Sequence, residues 1–269
     1  MNKNDTFIKT LFIGISICLF CSIIISTTAV ELRDLQKQNK LKDQQSKILS
    51  SAGLLTNETA AGELFLSIEE KIINLETGEY EDSLDPNSFD GRLFESQDYS
   101  KDLATSIKLG GREDISTLIT RENFAIIYLY KEAEQIKAII LPVRGLGLWG
   151  TLYGYLAIEP DLETIIGLEY HTHKETPGLG AEVDNPRWKS LWKGKKIYSP
   201  SGEVKISVIK GLVDPDSLEA DYQIDGLSGA TITSRGVSNM LSFWLGDLGY
   251  GKFLKKLKKE LEEKENFNV

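Results

Sequence analysis

Residues Thr10 to Val30, TLFIGISICLFCSIIISTTAV, carry no charge and are mostly apolar. At a rise of about 1.5 Å per residue, roughly 20 such residues cross the hydrocarbon core of a bilayer. A cleaved signal peptide has an apolar core of only about 7–15 residues. The run is therefore expected to be a retained transmembrane helix, although Thr27-Thr28-Ala29 has the small-residue character of a cleavage site and leaves that alternative open. Lys3 and Lys9 precede the run, whereas Arg33, Lys37, Lys40, Lys42 and Lys47 follow it. Counting Lys and Arg alone puts the C-terminal side in the cytoplasm, but that rule weakens for long translocated domains. The only two cysteines, Cys18 and Cys21, lie inside the run. Their spacing shares a helix face, yet cysteine in lipid behaves mainly as a small apolar residue. No disulfide framework is expected, and with only His171 and His173 as histidines no metal centre is expected either.

The chain has 269 residues and a net charge of -9, enough for an anchor and one or two modest domains. An acidic chain without a basic, aromatic-interleaved stripe is not expected to bind nucleic acid. Glu31 to Ser50, rich in Lys, Gln and Asp with a thin stripe of Leu32, Leu35, Leu41 and Ile48, reads as a helical stalk, and Gly53 as its stop. Thr59 to Asn74 reads as a second helix. Glu76 to Gly111 is acidic, with turn signals at Asp85-Pro86 and Asp90-Gly91, and reads as a long irregular connection. Phe124–Tyr130 and Ile136–Val143 have the pattern of a hairpin, and Tyr153–Ile158, Ile165–Tyr170 and Val204–Lys210 that of further strands. Val237, Met240, Leu241, Trp244, Leu245 and Leu248 recur at helical spacing, and a charged helical tail begins near Lys252. Strands grouped before helices predict an α+β fold with an antiparallel sheet. The expected organisation is an anchor over 1–30, stalk and N-terminal helices over 31–75, the α+β domain over 76–255 and a charged tail over 256–269.

Three short blocks carry chemistry. Gly145-Leu-Gly147-Leu-Trp-Gly150 spells G-x-G-x-x-G, but a dinucleotide fold needs a helix to follow. The β-branched and aromatic Thr151-Leu-Tyr-Gly-Tyr-Leu follows instead, so the block reads as a glycine-rich hairpin loop. Trp149, Tyr153 and Tyr155 either pack beside a planar ring there or fill core. His173-Lys-Glu175-Thr176-Pro-Gly-Leu179-Gly180 is a tight loop whose polar side chains bond either neighbouring backbone or a ligand. Asp225-Gly-Leu-Ser228-Gly229-Ala230-Thr231-Ile-Thr233-Ser234 feeds the start of the main C-terminal helix. Small residues let the backbone approach something closely, and a helix start suits a phosphate. The alternative is an ordinary capped helix with Thr233 or Ser234 as N-cap. A serine-hydrolase reading of Gly226-Leu-Ser228-Gly229 fails for want of a strand-elbow context.

Ser-Gly-Ala-Thr, led by Asp225 and followed by Ile-Thr-Ser, resembles the flavinylation motif of the FMN-binding domain family. In that family a separate flavin transferase esterifies the FMN phosphate to a threonine. The resemblance makes Thr231 the acceptor and Asp225 the leading acidic residue that the transferase is expected to need. PVRGLGLWGTLYGYLA, HKETPGLG and DGLSGATITSRGV together resemble the C subunits of sodium-translocating NADH:quinone oxidoreductases. The glycine block favours these over the related G subunits of Rnf complexes, which remain an alternative. What the resemblance implies is a single-pass inner-membrane protein with its main domain in the periplasm. It would relay electrons through covalent FMN between redox centres of a complex with A, B, D, E and F type subunits, which couples NADH-to-quinone transfer to Na+ export. Its cofactor site would draw on Ser228, Gly229, Ala230, Thr231, Thr233, Asp225, Trp149, Tyr153, Tyr155, His173, Glu175, Thr176 and Leu179, with no residues ligating metal. The reading of another class is a tethered, non-redox binding or scaffold module in which Ser228–Ser234 only caps a helix.

Overall fold

The structure, a computed structural model, describes residues 3–55, 61–86 and 105–267. The chain divides into two compact units, residues 1–44 and 45–269. The first unit is the greater part of one helix, α1 (Lys3–Ser51). Phe7, Phe12, Ile15, Leu19 and Ile24 are all more than half exposed. An isolated helix that shows this much apolar surface is suited to lipid rather than to water, and its apolar stretch is long enough to cross a membrane.

The second unit begins in the last turns of α1. Gly53 adopts φ 69. Its N–H bonds the carbonyl of Ser50, and the N–H of Leu54 bonds that of Leu49, the paired C-terminal bonds of a Schellman motif. A short helix, α2 (Ala61–Phe65), precedes strand β1 (Ile68–Asn74). The expected helix over Thr59–Asn74 is thus corrected: residues 59 and 60 lie outside the described residues, and 68–74 form a strand inside the main sheet.

The strands that follow are β2 (Glu79–Tyr80), β3 (Ser106–Lys108), β4 (Thr120–Glu122), β5 (Phe124–Glu132), β6 (Gln135–Leu146), β7 (Thr151–Ile158) and β8 (Ile165–Thr172). Six of them form one sheet in the order β2-β1-β5-β6-β7-β8, antiparallel at every pairing. β3 and β4 form a separate ribbon. Part of the acidic connection, including Asp90-Gly91, lies outside the described residues. Val204–Lys210 contributes β9 (Ser207–Val208), paired in parallel with β10 (Gln223–Ile224) apart from the main sheet, and an isolated bridge from Val204 to Tyr198. The expected strand there is corrected to this short pairing, because its partner offers two residues.

Three described helices follow the sheet strands: α3 (Pro186–Ser190), α4 (Thr231–Trp244) and α5 (Gly251–Phe267). Side chains alternate across a strand, so each sheet face builds its own core. Ile127, Ile139, Leu141, Leu152 and Leu156 belong to the core that contains Val237, Met240, Leu241 and Trp244 of α4. Ile126, Ile140, Tyr155 and Ala157 belong instead to the core with Ile48, Leu49 and Ala52. The residues from Lys252 onward are more than a charged tail, since Phe253, Leu254 and Leu257 are buried in the α4 core.

Glycines let α4 lie directly on the end of β6. A Cβ at Gly145 would come within 2.7 Å of the Cβ of Met240, and one at Gly236 would collide with the carbonyl of Leu146. The far end of α4 is held by the indole N–H of Trp244, which donates to the Arg144 carbonyl at 2.7 Å. Arg144 itself is buried in a two-pronged pair with Glu122. Its burial disfavours the charge, but the carboxylate more than offsets this and holds the guanidinium pKa above its ordinary value. These contacts fix where the start of α4 points.

Candidate functional site

α4 starts at Thr231, with Ala230 as its N-cap at φ -122 and ψ 50, and no side chain caps it. The capped-helix reading therefore fails for both expected caps, which sit inside the first turn. Thr233 is fully buried and its hydroxyl donates to Glu175 Oε2 at 2.5 Å. The hydroxyl of Ser234 accepts from the N–H of Leu227 at 3.1 Å. Thr231 is exposed. A helix start without a side-chain cap leaves N–H groups and partial positive charge for another anion.

Beside Thr231 lies a hollow of ≈ 500 Å³, lined by Ile209, Lys210, Gly211, Leu212, Ser228, Gly229, Arg235 and Ser238 among others. Gly229 adopts φ 71 at its rim, a conformation that glycine takes without strain. A Cβ there would also crowd the Leu179 side chain at 2.9 Å. Leu179, Ser228, Gly229 and Thr231 are thus brought together.

Glu175 joins the three sequence blocks. The residue is 6% exposed. Oε1 accepts from the N–H of Leu148 at 3.0 Å and from that of Trp149 at 2.9 Å, while Oε2 accepts from Thr233. The glycine block is a hairpin loop between β6 and β7, closed by the Gly147 N–H bonding the Gly150 carbonyl at 2.8 Å. No helix follows it, as expected. Within HKETPGLG, His173 Nδ1 accepts from the N–H of Glu175 at 3.2 Å, which leaves Nε2–H to donate to Asp184 at 2.8 Å. Thr176 supplies its carbonyl to the N–H groups of Leu179 and Ala181. His173 and Thr176 thus shape the loop.

Other expected site residues are placed differently. Asp225 Oδ1 accepts from the N–H of Val213 at 2.8 Å, and its carbonyl accepts from the Trp188 indole. It holds the flanking loop to the segment before Thr231. Trp149 is 66% exposed at the hairpin tip. Tyr155 belongs to the core on the sheet face away from α4, edge-on to Tyr128. Tyr153 shares that side, since both tyrosine rings pack against His171 at 6.0 and 5.1 Å. Of the two expectations for these tyrosines, a ring wall or core filling, the placement favours core, since alternation along β7 turns them away from α4. The sequence reading also missed Arg235 and Lys210. Arg235 stands one turn from Thr231 on the same helix face, a spacing that was visible in the chain. Lys210 arrives from a distant loop with no sequence signal.

The donor set fits a phosphate monoester or diester: an exposed threonine, an uncapped helix start, and two cations around an adjoining hollow. Among the described residues no cluster of His, Cys, Asp or Glu is suited to a metal ion.

Comparison with known proteins agrees with this chemistry. Residues 147–246 match the FMN-binding domain family. The chain is 43% identical over 263 residues to the C subunit of the Na(+)-translocating NADH-quinone reductase of Pseudomonas aeruginosa, covering 96% of this chain and 99% of that protein. It is likewise 43% identical over 259 residues to the protein of the same name from Vibrio anguillarum, covering 96% and 97%. Its fold is similar to the crystal structure of Shewanella oneidensis NqrC, with a TM-score of 0.73, 33% identity, and 82% and 99% of the two chains covered. The corresponding protein from Parabacteroides distasonis gives a TM-score of 0.61 at 32% identity, over 83% and 96%.

Proposed function

The chain belongs to the family of C subunits of the Na(+)-translocating NADH-quinone reductases, and we propose on that footing that Thr231 holds FMN through a phosphoester and so makes this chain an electron relay. It is a flavoprotein within a larger assembly that couples NADH oxidation and quinone reduction to sodium transport, anchored by one apolar helix. The observation that carries the attachment reading is exposed Thr231 at an uncapped helix start, beside a hollow flanked by Arg235 and Lys210.

Bound FMN supplies the electron-accepting and electron-donating chemistry. The residues of this chain do the rest. The first turn of α4 favours a phosphodiester charge by roughly 0.3–1 kcal/mol, and Arg235 and Lys210 add to that field. Ester linkage at Thr231 keeps a small, soluble cofactor from being lost. Gly229 and Leu179 set how closely a ligand approaches the loop. Trp149 and Leu148, exposed at the hairpin tip, offer apolar surface near the same helix start. We place the main domain on the periplasmic side, in line with the family and against the Lys and Arg count. Maturation by a flavin transferase acting at Asp225–Thr231, and a lipid environment for α1, complete the reading.

Mass spectrometry of the peptide that contains Thr231, from a host with an active flavin transferase, tests it. An FMN-sized adduct on Thr231 is expected, and T231A should abolish in-gel flavin fluorescence. A fluorescent T231A band would move the attachment to another residue, and an unmodified Thr231 peptide in a non-fluorescent parent would return the chain to the reading of a tethered binding module.

A further inference from the structure

We propose that Glu175 is the positioning residue that sets the reduction potential of the flavin on Thr231, without itself touching it. This deepens the attachment reading above and rests on it. All three described side-chain hydrogen bonds of Glu175 tie protein to protein. Its two oxygens accept from the N–H groups of Leu148 and Trp149 and from the Thr233 hydroxyl. One carboxylate therefore fastens the hairpin loop to the first turn of the helix that bears Thr231.

The backbone has been cleared to admit this group. A Cβ at Gly147 would fall 2.5 Å from Glu175 Oε1, and one at Gly180 would collide with Oε2 and approach the Thr233 hydroxyl to 2.6 Å. Two glycines from two of the sequence blocks thus form its socket. Among the described residues no cation pairs with Glu175. A carboxylate fixed by neutral donors alone keeps a field that a salt bridge would cancel. It lies against the first turn of α4, where its charge offsets the positive end of the helix. Electron uptake adds negative charge at the flavin, and a nearby buried negative charge disfavours that uptake.

The full-length chain, with FMN attached in a host that has the transferase, is titrated spectroelectrochemically. Parent, E175Q and T233V are compared, with mass spectrometry of the Thr231 peptide for each. E175Q keeps the shape and removes the charge, so the midpoint should rise. A tenfold change in the ratio of reduced to oxidised flavin at fixed potential is expected, about 30 mV for a two-electron couple. T233V removes one donor and keeps the charge, so the midpoint should fall. A merely structural role would not give shifts of opposite sign. If E175Q does not fold, a lowered midpoint in T233V still supports the proposal. Midpoints unchanged from the parent in both variants, with FMN present on Thr231, would overturn this inference alone. Absence of FMN from Thr231 in the parent would overturn the attachment reading and this inference with it.

Discussion

Gly180 shows how much a single missing methyl group can decide. The space a Cβ would take is already held by Glu175 and the Thr233 hydroxyl. Gly180→Ala must push one of them aside, and overpacking of this kind costs about 1–3 kcal/mol. The expected outcome is a fall in stability of that size in denaturant unfolding, together with weaker protection of the Leu148 and Trp149 amides, read by hydrogen exchange. At this scale the sequence was only half legible. Thr231 and the glycine blocks stood out as motifs. The role of Glu175 did not, because its partners lie 26 to 58 residues away and no spacing rule joins them. For Tyr153 and Tyr155 the sequence left core and ring wall open, because an aromatic near a motif says nothing of which sheet face it takes.

Among the elements, the antiparallel strands were the easiest to foresee, since β5 to β8 are β-rich runs set off by turns. β1 was mistaken for helix because Ile68 and Ile72, four residues apart, share a face in either conformation. Its immersion in the sheet was decided by β2 and β5 on either side. The turn between β7 and β8 makes a prediction of its own. Asp161 accepts from the N–H groups of Glu163 and Thr164, from the Thr164 hydroxyl and from Lys196. Burial pushes its pKa up, but these bonds more than offset that and bring it down to about 2. A folded-state pKa below the unfolded value of roughly 3.9 stabilises the fold above that value. The contribution is lost as pH falls towards about 2. Thermal melts of parent and Asp161→Asn across that window should converge at the acid end and separate by about pH 5. A constant gap at every pH would mean that the charge of Asp161 contributes nothing.

The whole molecule pairs a bare apolar helix with a domain that has its own two cores. Residues 45–269 form one compact unit and bury Ile48 and Leu49 within it. A chain starting at Gln45 is therefore expected to fold and to stay monomeric in water without detergent. Removing Ile48 and Leu49 as well should destabilise it, because the far face of the sheet then loses its cover. Gel filtration and circular dichroism of the two truncations would show this. The membrane span was legible from composition alone, whereas the compact boundary near residue 44 was not, since one helix runs through it without a break in pattern.

On the proposed attachment, the exposed position of Thr231 at the head of α4 bears on biosynthesis. Because Thr231 is exposed, the polypeptide can finish collapsing before any prosthetic group arrives, and the proposed loading becomes a late decoration rather than a folding step. Cells short of flavin would then accumulate an intact but dark protein, ready to be completed when supply returns.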